Sequence, residues 1–384
     1  MRIDLPIPTF QPIEPLLPSN TQDIYQEKMN QWLSDLDTLS LSRVPEREGP
    51  FLFSHINYQL ESEKLGSRVL RRYSDFYWLW DLLIKRYPFR LIPHLPPKQF
   101  AAKTFEEERT RGLERFINAV VRHPTLGKDP VVLVFLSHPL CLRDWRQTHS
   151  VSLDDEFIRN TEDIQPLEKR VPLDWEDRIR RMKKRIERSL IQYKRMLGIM
   201  RHMVRFKKAL GTDYICYSLT INDLVESDKD CLFQPCQGCP RLVQGQSQVA
   251  KSMQQAGMML NREAVAVADN VINALVQQIE LLESFRKLIE RKETPHTMSN
   301  ETLVSQMARY THKPTLSPIQ QREIFIRHAI LSELSFIHKS QINLSIMYNR
   351  WVKDESTYAN SWMDHWSHLE IFTTPMPHHP GDFL

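Results

Sequence analysis

Apolar residues recur every three or four positions through most of residues 172–372, and this spacing is the strongest constraint on the fold. It places the side chains on one face of an α-helix. We call such a line of apolar residues along a helix a seam. The first seam begins near Pro172 and extends to about Glu226, which predicts a helix of about 50 residues, about 75–80 Å long. The members of this seam are Trp175, Ile179, Met182, Ile186, Leu190, Tyr193, Leu197, Met200 and Val204.

Two further seams follow in the same half of the chain. The second runs from Val249 to Ile289. The third opens at Ser317, where a proline at the first helical position, Pro318, and a glutamine at the third, Gln320, form a good helix start signal. Three very long helices are therefore predicted. Because seams of this length cannot be covered within one chain, we expect antiparallel association with a second copy.

The preceding part of the chain has a different pattern. The runs LSLSRV, FLFSHINYQLES and SRVLRRY are separated by the turn-like EREG and EKLG, which predicts three antiparallel strands. A helix capped by Ser74 follows, then RLIPHLPPKQF, whose prolines exclude a helix. A second helix opens with the capping-box pair Thr104 and Glu107, and VVLVFL forms a short third one.

These patterns divide the chain into two domains with connecting segments. The predicted boundaries are a proline-rich segment with one short helix at 1–37, an α+β domain at 38–142, a linker at 143–171, a helical domain at 172–372 and a tail at 373–384. The longest unbroken apolar run, 131–136, is far shorter than the roughly 20 residues that span a bilayer. The start MRIDLPIPTF also lacks a signal-peptide core. We therefore expect a cytosolic protein whose five cysteines are reduced.

Arg71, Arg72 and Tyr73 lie where the third strand gives way to a helix. A phosphomonoester binds guanidinium groups through charge-assisted hydrogen bonds, and an aromatic face suits a flat, sugar-like ring. Taken alone, the pattern is better explained by solvated charges at a strand end.

Three further features occur with this motif in a fixed order: the helix after the strand, the loop ending in Pro96-Pro97-Lys98, and Arg109 just before Gly112-Leu113-Glu114. Together they resemble the Phox-homology (PX) domain. A PX domain followed by three long helices resembles a PX-BAR sorting nexin, including fungal members that act in vacuolar protein sorting. The resemblance covers roughly residues 38–372. It implies an α+β PX domain with a three-stranded antiparallel sheet, followed by an all-α three-helix BAR domain that dimerises through long antiparallel helices.

The resemblance also implies roles for four residues. Arg72 matches the arginine that grips the 3-phosphate of phosphatidylinositol 3-phosphate, and Tyr73 matches the aromatic residue that packs on the inositol ring. Lys98 matches the lysine near the 1-phosphate, and Arg109 matches the arginine that bonds the ring hydroxyls. The apolar side chains expected to enter the bilayer beside this site are Leu91, Ile92, Leu95 and Phe100.

The first long helix is strongly basic. Between Lys169 and Lys208 there are fifteen lysines and arginines against four acidic residues, a net charge of +11. Each such charge near an anionic leaflet contributes on the order of 1 kcal/mol. The alternative is a solvated helix face paired with acids on its neighbours, such as Glu280 or Glu283. The candidates for membrane contact are Arg180, Arg181, Lys183, Lys184, Arg185 and Arg188.

The chain carries few signs of catalysis or of metal binding. Cys231, Cys236 and Cys239 hint at a metal, with Cys216 as a possible fourth ligand, but a second CxxC pair is missing. We interpret them as reduced loop thiols and expect no metal and no cofactor. The sequence contains no Walker loop, GxGxxG or HExxH motif, so we expect no catalytic residues. Nucleic acid is not an expected partner, because no base-reading module accompanies the basic helix.

The resulting hypothesis is a non-enzymatic sorting nexin on the cytosolic face of endosomes. Its expected partners are phosphatidylinositol 3-phosphate, an anionic membrane surface and further copies of itself, as a homodimer or higher oligomer. It would sense or induce membrane curvature in cargo retrieval and vacuolar protein sorting. The sequence does not indicate which cargo or coat proteins it binds. The alternative function is a lipid-independent helical scaffold that binds partner proteins.

Overall fold

The computed structural model describes residues 38–44, 56–98, 103–159, 165–233, 235–293 and 317–383. The predicted segment 1–37 and Phe100 lie outside them. The chain forms two compact units. The first comprises Met1–Lys85 and Leu95–Leu153, and the second comprises Arg86–His94 and Asp154–Leu384.

A three-stranded antiparallel sheet lies in the first unit, as predicted. Its strands are β1 (Leu39–Arg43), β2 (Asn57–Ser62) and β3 (Ser67–Arg72), in the order β1-β2-β3. Leu60 pairs with Leu41 on one side and with Val69 on the other. All three side chains are buried, because residues paired directly across neighbouring strands lie on the same face of the sheet.

Four helices belong to the same unit as this sheet. The phenyl rings of Phe116 and Phe135 make edge contacts with Phe76, at centroid distances of 6.4 Å and 5.1 Å. The carboxylate of Asp129 caps the third helix by accepting a hydrogen bond from the Val131 amide at 2.8 Å. The helices are α1 (Tyr73–Arg86), α2 (Lys103–Arg122), α3 (Pro130–Ser137) and α4 (Leu142–Thr148).

Among the described residues of the second unit, every regular secondary-structure element is a helix. A π-helical turn at Ala268–Ile272 joins α8 to α9, so the two form one continuous helix. The first long helix has 54 residues, which confirms the length expected from its seam. The helices are α5 (Glu156–Arg159), α6 (Gln165–Glu168), α7 (Trp175–Asp228), α8 (Gly238–Val267), α9 (Asn273–Glu293), α10 (Pro318–Lys339) and α11 (Ile342–Thr373).

The third predicted helix begins where expected but is not continuous. Ser317 and Gln320 form a capping box at its start. The helix then breaks at Ser340, whose hydroxyl donates to the Ile337 carbonyl at 2.7 Å. A serine that bonds nearby backbone competes with the helical ladder, and the chain resumes as α11 after Gln341. The prediction of one uninterrupted helix was therefore wrong at this point.

The predicted seams form the core of the helical unit. Trp175, Ile186 and Leu190 of α7 are buried with Phe285 and Ile330. The continuous helix Gly238–Glu293 is long and apolar enough, by composition, to cross a membrane. Several of its apolar residues are instead buried within this unit, as Leu260, Val267 and Leu275 are.

Two glycines allow α7 and α8 to touch. A Cβ atom placed on Gly257 would lie 2.5 Å from the carbonyl oxygen of Gly211, and one on Gly211 would lie 2.9 Å from that of Gly257. Any larger residue would force the two backbones apart. Glycine in a helix interior costs about 1 kcal/mol relative to alanine, so its presence here reflects close packing.

The segment Arg86–His94 lies in the helical unit although the predicted α+β domain includes it. Arg90 is 8% exposed and binds Glu156 through two contacts, of 2.7 Å and 2.8 Å. It also binds Glu333 of α10, which is 2% exposed, at 3.1 Å. Burial acts to lower the pKa of Arg90, but both carboxylates more than offset this and raise it above its ordinary value. This network anchors the segment in the helical core.

Candidate functional site

The two adjacent arginines at the end of β3 have different environments. Arg71 is 1% exposed and donates to the carbonyls of Phe135, Leu70 and His138 at 2.6–2.9 Å. Its burial lowers its pKa to about 10. Arg72 is half-buried, and the only hydrogen bond of its guanidinium to other described residues is a weak one to the Cys141 sulfur at 3.8 Å. Arg71 is thus a structural residue, whereas Arg72 can offer its charge to a ligand.

The backbone at Arg72 is held by Asp75, a buried residue in the first turn of α1. Its carboxylate accepts a hydrogen bond from the Arg72 amide at 2.9 Å. The other oxygen accepts from Arg146 of α4, whose guanidinium lies 4.4 Å from the centre of the Trp78 ring. Neither Asp75 nor Arg146 was predicted from the sequence. Asp75 could have been predicted from its position, since an acidic residue in the first turn of a helix is favoured by the helix dipole.

Tyr73 brings together the proline loop and helix α2. Its hydroxyl donates to the Pro96 carbonyl at 2.7 Å, and the Arg109 guanidinium lies 5.8 Å from its ring centre. Burial raises the pKa of Tyr73, with the charge of Arg109 acting against the rise. Burial also raises the pKa of Tyr58, again partly offset by a hydrogen bond from Arg109. Both hydroxyls therefore stay protonated at neutral pH, and Arg109 is positioned by two tyrosines.

The proline loop approaches α2 at Gly112. A Cβ atom there would lie 3.0 Å from the Pro96 side chain, so glycine permits this close contact. Lys98 follows on the exposed end of the loop. The structure thus brings Tyr73, Pro96 and Arg109 together beside Arg72, and leaves Lys98 at the surface.

The expectation that the apolar residues of this loop enter a bilayer was wrong for the three that the structure describes. Leu91, Ile92 and Leu95 are 2%, 4% and 8% exposed. Leu91 belongs to the core cluster of the helical unit. Because these side chains are buried, they stabilise the protein interior and are not available to contact lipid.

The six membrane-contact candidates on α7 divide into two groups. Arg180 pairs with Asp177 at 3.0 Å, Arg181 with Asp174 at 3.5 Å, and Lys183 with Glu293. The others, which are exposed and have no ion pair with any described residue, are Lys184, Arg185 and Arg188.

Neighbouring acids neutralise part of the basic helix, as the alternative interpretation expected. Lys194 binds Glu283 at 2.7 Å, and Lys207 binds Glu263 and Glu355. Beside the exposed cations, residues of α7 and α10 line an open groove with a volume of about 670 Å³. Its lining residues are Arg178, Arg181, Met182, Arg185, Leu331, Ser332, Leu334, Ser335 and His338.

Comparison with known families accounts for both units. Residues 59–139 match the family model described as PX domain. Residues 150–301 match the model described as Sorting nexin 8/Mvp1 BAR domain. The chain belongs to the PX-BAR sorting nexin family. The family predicted from the sequence is therefore confirmed.

This sorting nexin has relatives among fungi. It is 31% identical over 372 residues to Sorting nexin mvp1 of Aspergillus fumigatus, covering 89% of this chain and 51% of the relative. It is 28% identical over 382 residues to Sorting nexin MVP1 of Saccharomyces cerevisiae, covering 89% of this chain and 74% of the relative. The chain thus spans about half the length of the Aspergillus protein.

A solved structure has the same fold as this sorting nexin. The cryo-EM structure of the SNX-BAR Mvp1 tetramer matches it with a TM-score of 0.71, over 86% of this chain and 99% of the other, at 23% identity. This likeness, together with the three-stranded sheet and the long helices, confirms the predicted fold class.

Proposed function

We propose that this sorting nexin is a non-enzymatic, peripheral membrane protein of endosomes that binds phosphatidylinositol 3-phosphate. The observation that carries the proposal is the arrangement of Arg72, Tyr73 and Arg109 in one unit. A partly buried guanidinium lies next to an aromatic ring that is fixed to the proline loop and contacted by a second guanidinium. Such a site supplies charge-assisted donors to a phosphomonoester and an apolar wall to the inositol ring.

The test is flotation of the full chain with phosphatidylcholine vesicles. Three preparations are compared: plain vesicles, vesicles with phosphatidylinositol 3-phosphate, and vesicles with an equal amount of the 4-phosphate isomer. We expect recovery with the 3-phosphate alone, because the isomer has equal charge but a different geometry. Absence of recovery with all three preparations would favour the lipid-independent scaffold, and equal recovery with all three would contradict headgroup-specific binding.

The basic helix would provide a second, less specific membrane contact. Reversing Lys184, Arg185 and Arg188 to glutamate should weaken binding to anionic vesicles by at least about 3 kcal/mol, or about 100-fold, since each basic residue contributes about 1 kcal/mol. The loss should shrink as salt rises, because exposed charges are screened within about 8 Å at physiological ionic strength. Vesicle sedimentation over a salt series measures both effects.

The matched control reverses Lys251, Arg350 and Lys353, which are also exposed on long helices. It changes the net charge equally and should bind more tightly than the first variant. If both variants bound alike, the basic segment of α7 would act only through total charge, and its role as a membrane surface would be rejected.

We also propose that α7 mediates association with a second copy. Large apolar side chains recur along it at spacings of three, four and seven residues, which places them on one face. Each is 41–62% exposed in the single chain. The members of this stripe are Ile199, Met203, Phe206, Leu210, Tyr217 and Leu224. An exposed apolar stripe of this length is typical of an interaction surface.

Light scattering at micromolar concentration should therefore give a mass of at least two 45.5 kDa subunits. Phe206→Glu should shift the protein toward monomer, since it introduces a charge into the apolar stripe. Thr212→Glu, on a different face of the same helix, should not. A parent chain that remained monomeric and helical would contradict self-association while leaving the lipid site untouched.

Together, the two membrane contacts and self-association would bind the membrane tightly, although each contact alone is weak. A headgroup site of micromolar affinity supplies about 8 kcal/mol, which by itself is reversible. Joining two such sites in one dimer makes the second contact intramolecular and adds about 10²–10⁴ in avidity. A basic, dimeric helical surface of this kind would sense or induce curvature during cargo retrieval and vacuolar protein sorting.

A further inference from the structure

Three cysteines converge in the connection between α7 and α8. The sulfur atoms of Cys231, Cys236 and Cys239 lie within 4.8 Å of one another. Within the described residues, this is the one group of three metal-binding side chains that come so close together. Cys216, which the sequence suggested as a fourth ligand, is exposed on α7 and lies outside the group.

Backbone groups orient two of these thiols. The Cys239 amide points to the Cys236 sulfur at 3.4 Å, and the Cys231 thiol points to the Phe233 carbonyl at 3.2 Å. Cys236 and Cys239 are three residues apart at the start of α8, where amides face outward and favour negative charge. The Cys239 amide is therefore placed to donate a hydrogen bond to the Cys236 sulfur.

The turn from Cys236 to Cys239 is held in place by the end of the chain. Gly238 packs so closely on the terminal turn Pro380–Phe383 that a Cβ atom there would lie 2.6 Å from the Phe383 ring and 2.7 Å from the Asp382 carbonyl. This contact fixes the backbone that carries two of the three sulfur atoms. Little further ordering would be needed for a ligand to bind.

We propose that Cys231, Cys236 and Cys239 bind one Zn²⁺ ion. Zn²⁺ prefers thiolate ligands in a tetrahedron, with Zn–S bonds of about 2.3 Å and hence sulfur atoms about 3.8 Å apart. The observed separations exceed this by at most about 1 Å, a distance that rotation of the cysteine side chains covers. Binding releases up to three thiol protons to solvent, and water occupies the fourth position. The ion links the end of α7 to the start of α8.

In this proposal the three cysteines are metal ligands and not the metal-free loop thiols expected from the sequence. The sequence spacing lacks the second CxxC pair by which zinc sites are usually identified. Only the path of the connection brings Cys231 back toward the other two. A disulfide would use two of the sulfur atoms, would need an oxidant, and would leave the third cysteine without a role.

The test is cobalt titration of the full chain, purified under reducing conditions and stripped of metal with a chelator. We expect one Co²⁺ per chain, with a thiolate-to-cobalt charge-transfer band in the near ultraviolet that added Zn²⁺ removes. Cys236→Ser and Cys239→Ser should each weaken Zn²⁺ binding by more than about 100-fold, since loss of even a supporting group costs about 10–100-fold.

Cys216→Ser and Cys141→Ser are the matched controls, because both cysteines are exposed and outside the group. They should bind cobalt as the parent does. Three outcomes would each overturn the proposal: no charge-transfer band although all five thiols react with a thiol reagent, cobalt binding that survives substitution of the three cysteines, or a mass two hydrogens lower that places two of them in a disulfide.

Discussion

Arg72→Ala should abolish most of the specific binding to phosphatidylinositol 3-phosphate. Losing one charge-assisted contact to a desolvated phosphate costs about 2–5 kcal/mol, which corresponds to a loss of affinity of about 30-fold or more. The variant should fold normally, because the Arg72 guanidinium has only the weak contact with Cys141 to lose. Vesicle flotation over a series of lipid concentrations measures the change in affinity, and circular dichroism checks the fold.

Arg68→Ala is the matched control for this experiment. Arg68 lies on the same strand and is paired with Glu61 at 2.8 Å, with 69% of its side chain exposed. Its removal takes away the same charge but should leave specific binding intact. If Arg72→Ala kept the parent affinity, or lost no more than Arg68→Ala, the assignment of the site would be rejected.

Arg90→Met should destabilise the helical unit by about 3–5 kcal/mol, the cost of leaving buried charges without their partner. The substitution keeps a long side chain but leaves the carboxylates of Glu333 and Glu156 uncompensated. Denaturant unfolding followed by circular dichroism, at fixed protein concentration, measures the loss in the free energy of unfolding.

The penalty should decrease as the pH falls. Without Arg90, burial should favour the protonated form of the Glu333 carboxyl, which is 2% exposed, so the folded protein should take up a proton more readily than the unfolded chain. Stability is then lost at high pH and recovered on acidification. A penalty independent of pH would argue that the arginine contributes through packing alone.

Arg327→Met provides the comparison on the same helix as Glu333. Arg327 forms a pair with Glu323 at 2.8 Å, in which the side chains are 39% and 44% exposed. Exposed pairs contribute about 0–1 kcal/mol, so this variant should unfold nearly as the parent does. Equal effects of the two substitutions would contradict the view that Arg90 anchors segment 86–94.

The elements of the fold were predictable because they depend on local patterns. Alternation in LSLSRV and SRVLRRY indicated strands, and the long seam after Pro172 indicated a helix that extends to Asp228. The start of α10 was predictable to the residue, since a capping box involves only Ser317 and Gln320. The break at Ser340 was not, because serines also occur within uninterrupted helices such as α7.

The sequence by itself thus determined the family, the order of the elements and the residues proposed to meet a lipid headgroup. The resemblance selected Arg72, but only the tertiary structure showed that Arg71 is buried in backbone contacts, since its partner carbonyl at Phe135 lies 64 residues away. Only it placed Arg90 beside Glu333, 243 residues away, and gathered three cysteines at one end of α7. Periodicity reports which face of an element is buried. The partner that a buried charge or a thiol finds there depends on how distant segments pack, and no local pattern records it.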